Sequence, residues 1–199
     1  MVPHRLRPKV TRHDVCHVTL RVSQDVFALR KRKAFAAITQ AFSDMAQRPG
    51  FRLCHFSVQQ NHLHLIVEAD SQKALSRGMQ ALGIRIALGL NKRMERRRGR
   101  VVADRYHARV LKSPLEVKRA LLYVLNNARH HRRADEQPHR LWVDAYSSAP
   151  FFDGWAYAPR VDSCDKDIVH PPPARPKSWL LTTGWRRHGP LDPSQIPAS

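Results

Sequence analysis

Residues 59–67 read Gln-Gln-Asn-His-Leu-His-Leu-Ile-Val, and the alternation inside this run restricts what it can form. Successive side chains of a β-strand point to opposite faces. His62 and His64 therefore project one way, and Leu63, Leu65 and Val67 the other. The apolar set can anchor the strand in a core. Two imidazoles on the opposite side can share one divalent cation.

The flanking segments supply the rest of a sheet. Cys16, Val18, Leu20 and Val22 alternate with Val15, His17, Thr19 and Arg21, a strand pattern over 15–22. Phe35, Ile38, Phe42 and Met45 predict a helix over 31–47, stopped by Pro49-Gly50. Residues 51–69 are too long for one strand and predict a hairpin turning near 59–61, with the histidines in its second arm. Asp70 or Ser71 can cap a helix reaching about Arg97, whose stripe is Leu75, Met79, Leu82, Ile86 and Leu90. A strand is expected over 106–111, and Ser113-Pro114 opens a last helix to about His131. The order β-α-β-β-α-β-α predicts an α+β fold with a mostly antiparallel sheet.

The character changes at Glu136: ten of the 14 prolines and all four tryptophans follow it. Three regions are expected: a basic arm (1–12), a main domain (13–135) and a partly irregular extension (136–199). The charge is divided the same way. Residues 1–135 hold 28 Lys/Arg against 9 Asp/Glu, and residues 136–199 hold 7 against 7, so the whole net charge of +19 sits in the first two thirds. A polyanion such as nucleic acid is the expected partner there. In the neutral extension, Trp142, Phe151, Phe152 and Trp155 are expected to pack back onto the domain, and Trp179 and Trp185 to anchor a final segment. Cys16, Cys54 and Cys164 have no metal-type spacing and read as reduced thiols of a cytosolic protein. No apolar run approaches membrane-spanning length, and no apolar stretch follows the basic arm as a secretory signal would require. The expected location is cytoplasmic, on the nucleoid when DNA is bound.

Projected at 100° per residue, Val117, Leu121, Val124, Leu125 and Ala128 form the apolar face of the last helix. Tyr123 lies opposite, among Glu116, Arg119, Asn127 and His130, with Asn126 at the edge. A packing tyrosine would prefer the apolar stripe. Here Asn127, one turn on, can contact the same object. A phenol, with an ordinary pKa near 10, is a poor nucleophile at neutral pH, and a nearby cation helps by polarising and orienting a phosphate under attack. Two histidines and one amide oxygen make a three-ligand site with positions left open for phosphate oxygens.

At these residues the chain resembles a family. His62-Leu63-His64 is similar to the His-hydrophobe-His motif of HUH endonucleases. Tyr123-Val124-Leu125-Asn126-Asn127 is similar to the Tyr-x-x-x-Asn motif of REP-associated tyrosine transposases, single-tyrosine enzymes of the IS200-like type. The resemblance runs from about His13 to His131 and includes Asp104-Arg105-Tyr106, which looks like the family's Arg-Tyr/Phe element before the last helix. It departs at Ala128, where many relatives carry Pro, and at His130-His131-Arg132-Arg133, where relatives often carry Gly.

The resemblance implies a ferredoxin-like fold and a metal-dependent enzyme that cuts and rejoins single-stranded DNA beside hairpins, using Mg²⁺ or Mn²⁺. By position, Tyr123 is the nucleophile and joins the 5′ phosphate. His62 and His64 are metal ligands, and Asn127 is the third, with Asn126 as the alternative if the helix register differs. Relatives include monomers and dimers with shared sites, so a homodimer is among the expected assemblies. Lys92, Arg93, Arg96, Arg97, Arg98 and Arg100 put six cations into nine residues and are expected on the DNA backbone, as are Arg105, Arg109 and Arg119 along the groove. His17 is expected to be a hydrogen-bonded histidine rather than a fourth ligand. The alternative function is a domesticated, non-catalytic protein that binds hairpin or repeat DNA. A replication-initiation or relaxase-type nuclease would carry further His, acidic or Tyr motifs, and a two-metal hydrolase would carry acidic ligands; neither set is found.

Overall fold

The computed structural model describes residues 9–26, 28–93, 99–132 and 138–198. Strands β1 (Val15–Arg21), β2 (Phe51–Val58), β3 (His62–Ala69) and β4 (His107–Leu111) form one sheet in the order β2-β3-β1-β4, and every pairing is antiparallel. Helix α1 (Arg32–Ser43) joins β1 to β2, and α2 (Gln72–Arg93) leads from β3 towards β4. This is the element order expected from the residue patterns, and the ferredoxin-like fold that the resemblance implied. Ser71, rather than Asp70, caps α2 by accepting from the Ala74 amide at 3.1 Å. The basic residues Arg96, Arg97 and Arg98, and residues 1–8 of the arm, lie outside the described residues.

The two sheet faces carry different loads. On one, Cys16, Val18, Leu20, Leu63, Leu65 and Val67 meet Phe35, Ile38 and Phe42 of α1 and Leu75, Met79, Leu82 and Ile86 of α2. Each large apolar side chain buried there contributes about 1.5–3 kcal/mol relative to exposure. Helix α2 lies very close to the sheet: a Cβ at Gly78 would stand 2.2 Å from the Phe51 ring.

The opposite face is split along each strand. Its apolar end, Val15, Ile66 and Leu111 with Cys54, is covered by α3 (Pro114–Leu125) through Val117, Leu121, Val124 and Leu125. Cys54 faces this second core, and a bulge between Leu53 and His55 restores Phe56 to the same side as Leu53, in the first core. The polar end carries His17, Thr19, Arg21, His62, His64, His107 and Arg109.

Residues beyond 138 complete the second core. They hold little regular structure beyond α5 (Trp179–Thr182) and short 3₁₀ turns, including Ala149–Phe151 and Gly184–His188. Phe152, Leu181, Trp185 and Leu191 are nonetheless buried against α3 and the sheet. Trp142 is also buried, whereas Phe151 is 46% exposed and does not pack back, and Trp179 is 48% exposed beneath the Arg187 guanidinium and so does not anchor the segment as expected. The three cysteines are free, with Cys16 and Cys54 buried. Among the described residues no helix is long and apolar enough to cross a membrane.

Two buried carboxylates pin this segment. Glu68, fully buried on β3, accepts from Arg52 Nε at 2.9 Å and from the backbone amides of Lys177 and Ser178 at 2.8 Å each. Asp144 takes a bidentate pair from Arg30, both contacts at 2.7 Å. A buried charge with every oxygen satisfied is tolerable, but one left without its partners is not. Glu68→Gln puts an amide donor against donors and should destabilise the chain by about 3 kcal/mol. The check is thermal unfolding combined with limited proteolysis. A Tm drop of several degrees with earliest cleavage between residues 165 and 178 is expected, and an unchanged Tm contradicts the anchoring role.

Candidate active site

The register between β1 and β3 assembles the polar end. Thr19 stands opposite His64, Arg21 opposite His62, and on the other side of β1 His17 stands opposite Arg109. Helix α3 begins with Ser113, whose hydroxyl accepts from the Glu116 amide at 3.2 Å, and with Pro114 in its first turn. It carries Tyr123 over this face. The Tyr123 ring meets His64 edge-on at a centroid distance of 5.0 Å and His17 at 5.6 Å.

The imidazoles contact one another directly. His62 Nε2 and His64 Nε2 are 3.0 Å apart. His62 Nδ1 donates to Asn61 Oδ1 at 2.8 Å, an oxygen that can only accept, so the His62 lone pair is on Nε2. His64 Nδ1 is 3.2 Å from His17 Nε2 and 3.3 Å from Thr19 Oγ1. Burial, and then His17, His62, His131 and Arg21, push His64 down to about 3. Burial, His107 and Arg109 push His17 down to about 4. His62 is lowered by burial, His131 and Arg21. All three rings are neutral at pH 7 and offer lone pairs.

The expected last helix is interrupted. It stops at Leu125, Asn126 leaves helical geometry at φ −105° and ψ 15°, and a one-turn α4 (Asn127–His130) follows. The two neighbouring amides part there. Asn126 Nδ2 donates to the carbonyls of Asp192, Pro193 and Gln195 at 3.2, 3.2 and 2.9 Å. Asn127 is fully buried, and neither its Oδ1 nor its Nδ2 has a hydrogen-bond partner. An orphaned buried amide is costly unless something else is bound there.

These features suit a divalent cation. Two ligands at right angles, each about 2.1 Å from a metal, lie about 3.0 Å apart, and the two Nε2 atoms match that spacing. Asn127, four residues after Tyr123, has a buried carbonyl oxygen with no hydrogen-bond partner among the described residues. Among the described residues no group of three His, Cys, Asp or Glu side chains is suited to a metal, and the facing histidine pair supplies two nitrogen donors.

Two cavities flank the histidines. One, of about 670 Å³, is lined by His17, Arg109, Glu116, Arg119, Tyr123 and the C-terminal Gln195. The other, of about 470 Å³, is lined by Arg30, Asn61, His62, His131 and Arg132. Arg109 and Arg119 are thus brought to Tyr123, although Arg109 also pairs with Glu116 at 3.2 Å. Arg105 precedes β4 and is exposed, as His107 and Arg109 are. Lys92 and Arg93 end α2 on the other side of the sheet. Arg100 lies just before the segment that bonds β1, through Ser23 N to Val101 O and Ala103 N to Arg21 O.

The reading of residues alone left out three things: His17 and Thr19 against His64, the carbonyls that hold Asn126, and buried Arg129. The last donates to the carbonyls of His139, Arg140 and Trp142 at 2.7, 3.1 and 2.9 Å. The first was readable, because His17-Val18-Thr19 alternates as His62-Leu63-His64 does.

A family model described as "Transposase IS200 like" matches residues 13–127. Among solved structures, a REP-associated tyrosine transposase bound to a REP hairpin superposes with a TM-score of 0.50 at 12% identity, over 64% of this chain and 72% of that one. A protein of Deinococcus radiodurans R1 described as a candidate transposase gives a TM-score of 0.43 at 15% identity, over 56% of this chain and 87% of that one. No curated protein sequence matches the chain.

The imidazoles set an acid limit on stability. His55, also buried and pushed down to about 4, joins His17 and His64. Below about pH 6.5 the unfolded chain binds protons on these rings that the folded chain still refuses. Their penalty is absent above that pH and grows as pH falls from about 6.5 towards 4. The Tm of metal-free protein should be level above pH 7 and decline through that window, less steeply for His55→Gln. A level Tm down to pH 4.5 would contradict the burial of these rings.

Proposed function

Because this chain belongs to the IS200-like transposase family, we propose that it cleaves and rejoins single-stranded DNA beside hairpins, with Tyr123 as nucleophile. The chain is a transposase, a DNA-binding and DNA-processing enzyme. The observation that carries the finer reading is the placement of the Tyr123 ring on His64, whose Nε2 faces His62 Nε2 across 3.0 Å.

In this reading the Tyr123 oxygen attacks the scissile phosphorus. A Tyr–O–P bond forms and the P–O3′ bond breaks. The DNA 5′ phosphate stays on Tyr123, and the released 3′ oxygen takes up a proton in place of the one lost by the phenol. A 3′ hydroxyl of another strand then reverses the step and frees the tyrosine. His62, His64 and Asn127 would hold Mg²⁺ or Mn²⁺. When bound, the ion supplies Lewis-acid polarisation of the phosphate. The neutral rings of His62 and His64 keep their lone pairs at working pH. Arg109 and Arg119 hold DNA phosphates in the cavity beside Tyr123. Arg96, Arg97, Arg98, Arg100 and Arg105 would contact further DNA backbone, and Lys92 and Arg93, on the α2 side of the sheet, would meet a separate stretch of it. Residues 13–135 form the catalytic domain, with 1–12 as an arm and 136–199 as an extension. The hairpin bound by the solved REP-associated transposase supports a hairpin substrate here.

The test uses single-stranded hairpin oligonucleotides from the gene's own flanks with Mn²⁺ or Mg²⁺, read by denaturing gel and mass spectrometry. A covalent adduct on Tyr123 is expected. Tyr123→Phe should keep DNA affinity and lose the adduct, and normal cleavage by this variant removes the nucleophile assignment. His64→Ala and Asn127→Ala should each lower cleavage by at least tenfold. Tight hairpin binding without an adduct in either metal would instead establish the non-catalytic binding protein. Affinity should fall steeply between 50 and 200 mM salt, on the order of 10³-fold for about six phosphate contacts, and a flat profile would remove those contacts.

A further inference from the structure

We propose that His17, with Thr19 beside it, is a positioning residue that accepts a hydrogen bond from His64 Nδ1–H through its Nε2 and so turns the His64 Nε2 lone pair to the point that the His62 Nε2 lone pair already faces. The proposal rests on the metal reading given above. It starts from an asymmetry between the two candidate ligands. The tautomer of His62 is settled by Asn61, whose Oδ1 accepts from Nδ1 at 2.8 Å. His64 has no such carbonyl partner. Its Nδ1 faces a ring nitrogen at 3.2 Å and a hydroxyl oxygen at 3.3 Å, both able to accept.

If the His64 proton sat on Nε2, it would point at His62 Nε2 and occupy the space between the rings. If it sits on Nδ1, it is received by His17, and two lone pairs converge. Only the second arrangement binds a cation through both rings. A ligating histidine commonly donates its other N–H to an acceptor that fixes its tautomer and orientation, and loss of that acceptor lowers metal affinity about 10- to 100-fold. His17 does not join the ligand set itself. Its Nε2 is on the Nδ1 side of His64, away from the facing Nε2 pair. The register makes this arrangement durable. Thr19 is directly opposite His64, and His17, two residues earlier on the same face of β1, leans across to the same ring.

The experiment is Mn²⁺ binding to the full-length, DNA-free protein, followed by the free-ion EPR signal. His17→Leu removes the acceptor and should weaken Mn²⁺ binding about 10- to 100-fold, whereas His17→Gln, whose amide oxygen reaches a similar place, should bind within about threefold of wild type. Thermal unfolding without metal accompanies each variant. If His17→Leu does not fold, Thr19→Val decides instead: a loss of at least threefold supports the proposal and unchanged binding overturns it. Wild-type affinity in folded His17→Leu, or equal losses in His17→Leu and His17→Gln, likewise overturns it. His64→Ala separates the two levels. Loss of binding there with wild-type binding in His17→Leu keeps the metal site and removes the positioning role. Wild-type binding in His64→Ala, or no binding by the wild type, removes both.

Discussion

The antiparallel register between β1 and β3 is the constraint on which the site depends. It sets Thr19 against His64 and Arg21 against His62, and it sets Leu20 against Leu63 on the opposite face. Since side chains alternate with period two, a slip of one residue would turn Leu63 and Leu65 towards α3 and press both histidines into the layer of α1 and α2. The first core therefore does more than stabilise. Val18, Leu20, Leu63 and Leu65, each buried, choose the register, and the register places the imidazoles. Chemistry and packing are two sides of one strand.

The second core explains why a neutral, proline-rich extension belongs to a basic domain. One helix cannot cover a sheet face alone, and α3 covers only the apolar end. Trp185, Phe152 and Leu181 supply the missing layer, and Gly154 permits it, since a Cβ there would stand 2.2 Å from the Trp185 ring. Glu68 and Asp144 then secure the covering segment with charged contacts that are satisfied on burial. A chain so attached cannot be removed without exposing the face of α3 that holds Tyr123 in place.

Much of this was readable in the residues. The alternation in 62–67 gave the strand and its two faces, and Ser113-Pro114 marked the start of the helix that carries Tyr123. The turn near residues 59–61 followed from length alone. What could not be read was tertiary. A break at Asn126 is invisible to helical periodicity, because Val124, Leu125 and Ala128 continue the apolar spacing across it. The roles of His17 and Thr19 need the strand pairing, since 45 or more residues separate them from His64. Glu68 reads as one more polar residue at a strand end, and only the backbone of 177–178 reveals why a carboxylate is buried there.

The break at Asn126 ties the extension to the helix that carries Tyr123. Asn126 and Asn127 are identical in chemistry and adjacent in sequence, and a continuous helix would present them 100° apart, with Asn127 on the Tyr123 side and Asn126 at its edge. Here the carbonyls of Asp192, Pro193 and Gln195 consume the Asn126 amide, Arg129 is held by the carbonyls of 139–142, and His130 Nδ1 meets the Pro197 carbonyl at 3.2 Å. The single turn of α4 is thus gripped from both sides by residues of the extension. Ala128 does not force this bend as a proline would; the contacts around it do. With Asn126 occupied by the extension, Asn127 is buried without a hydrogen-bond partner among the described residues.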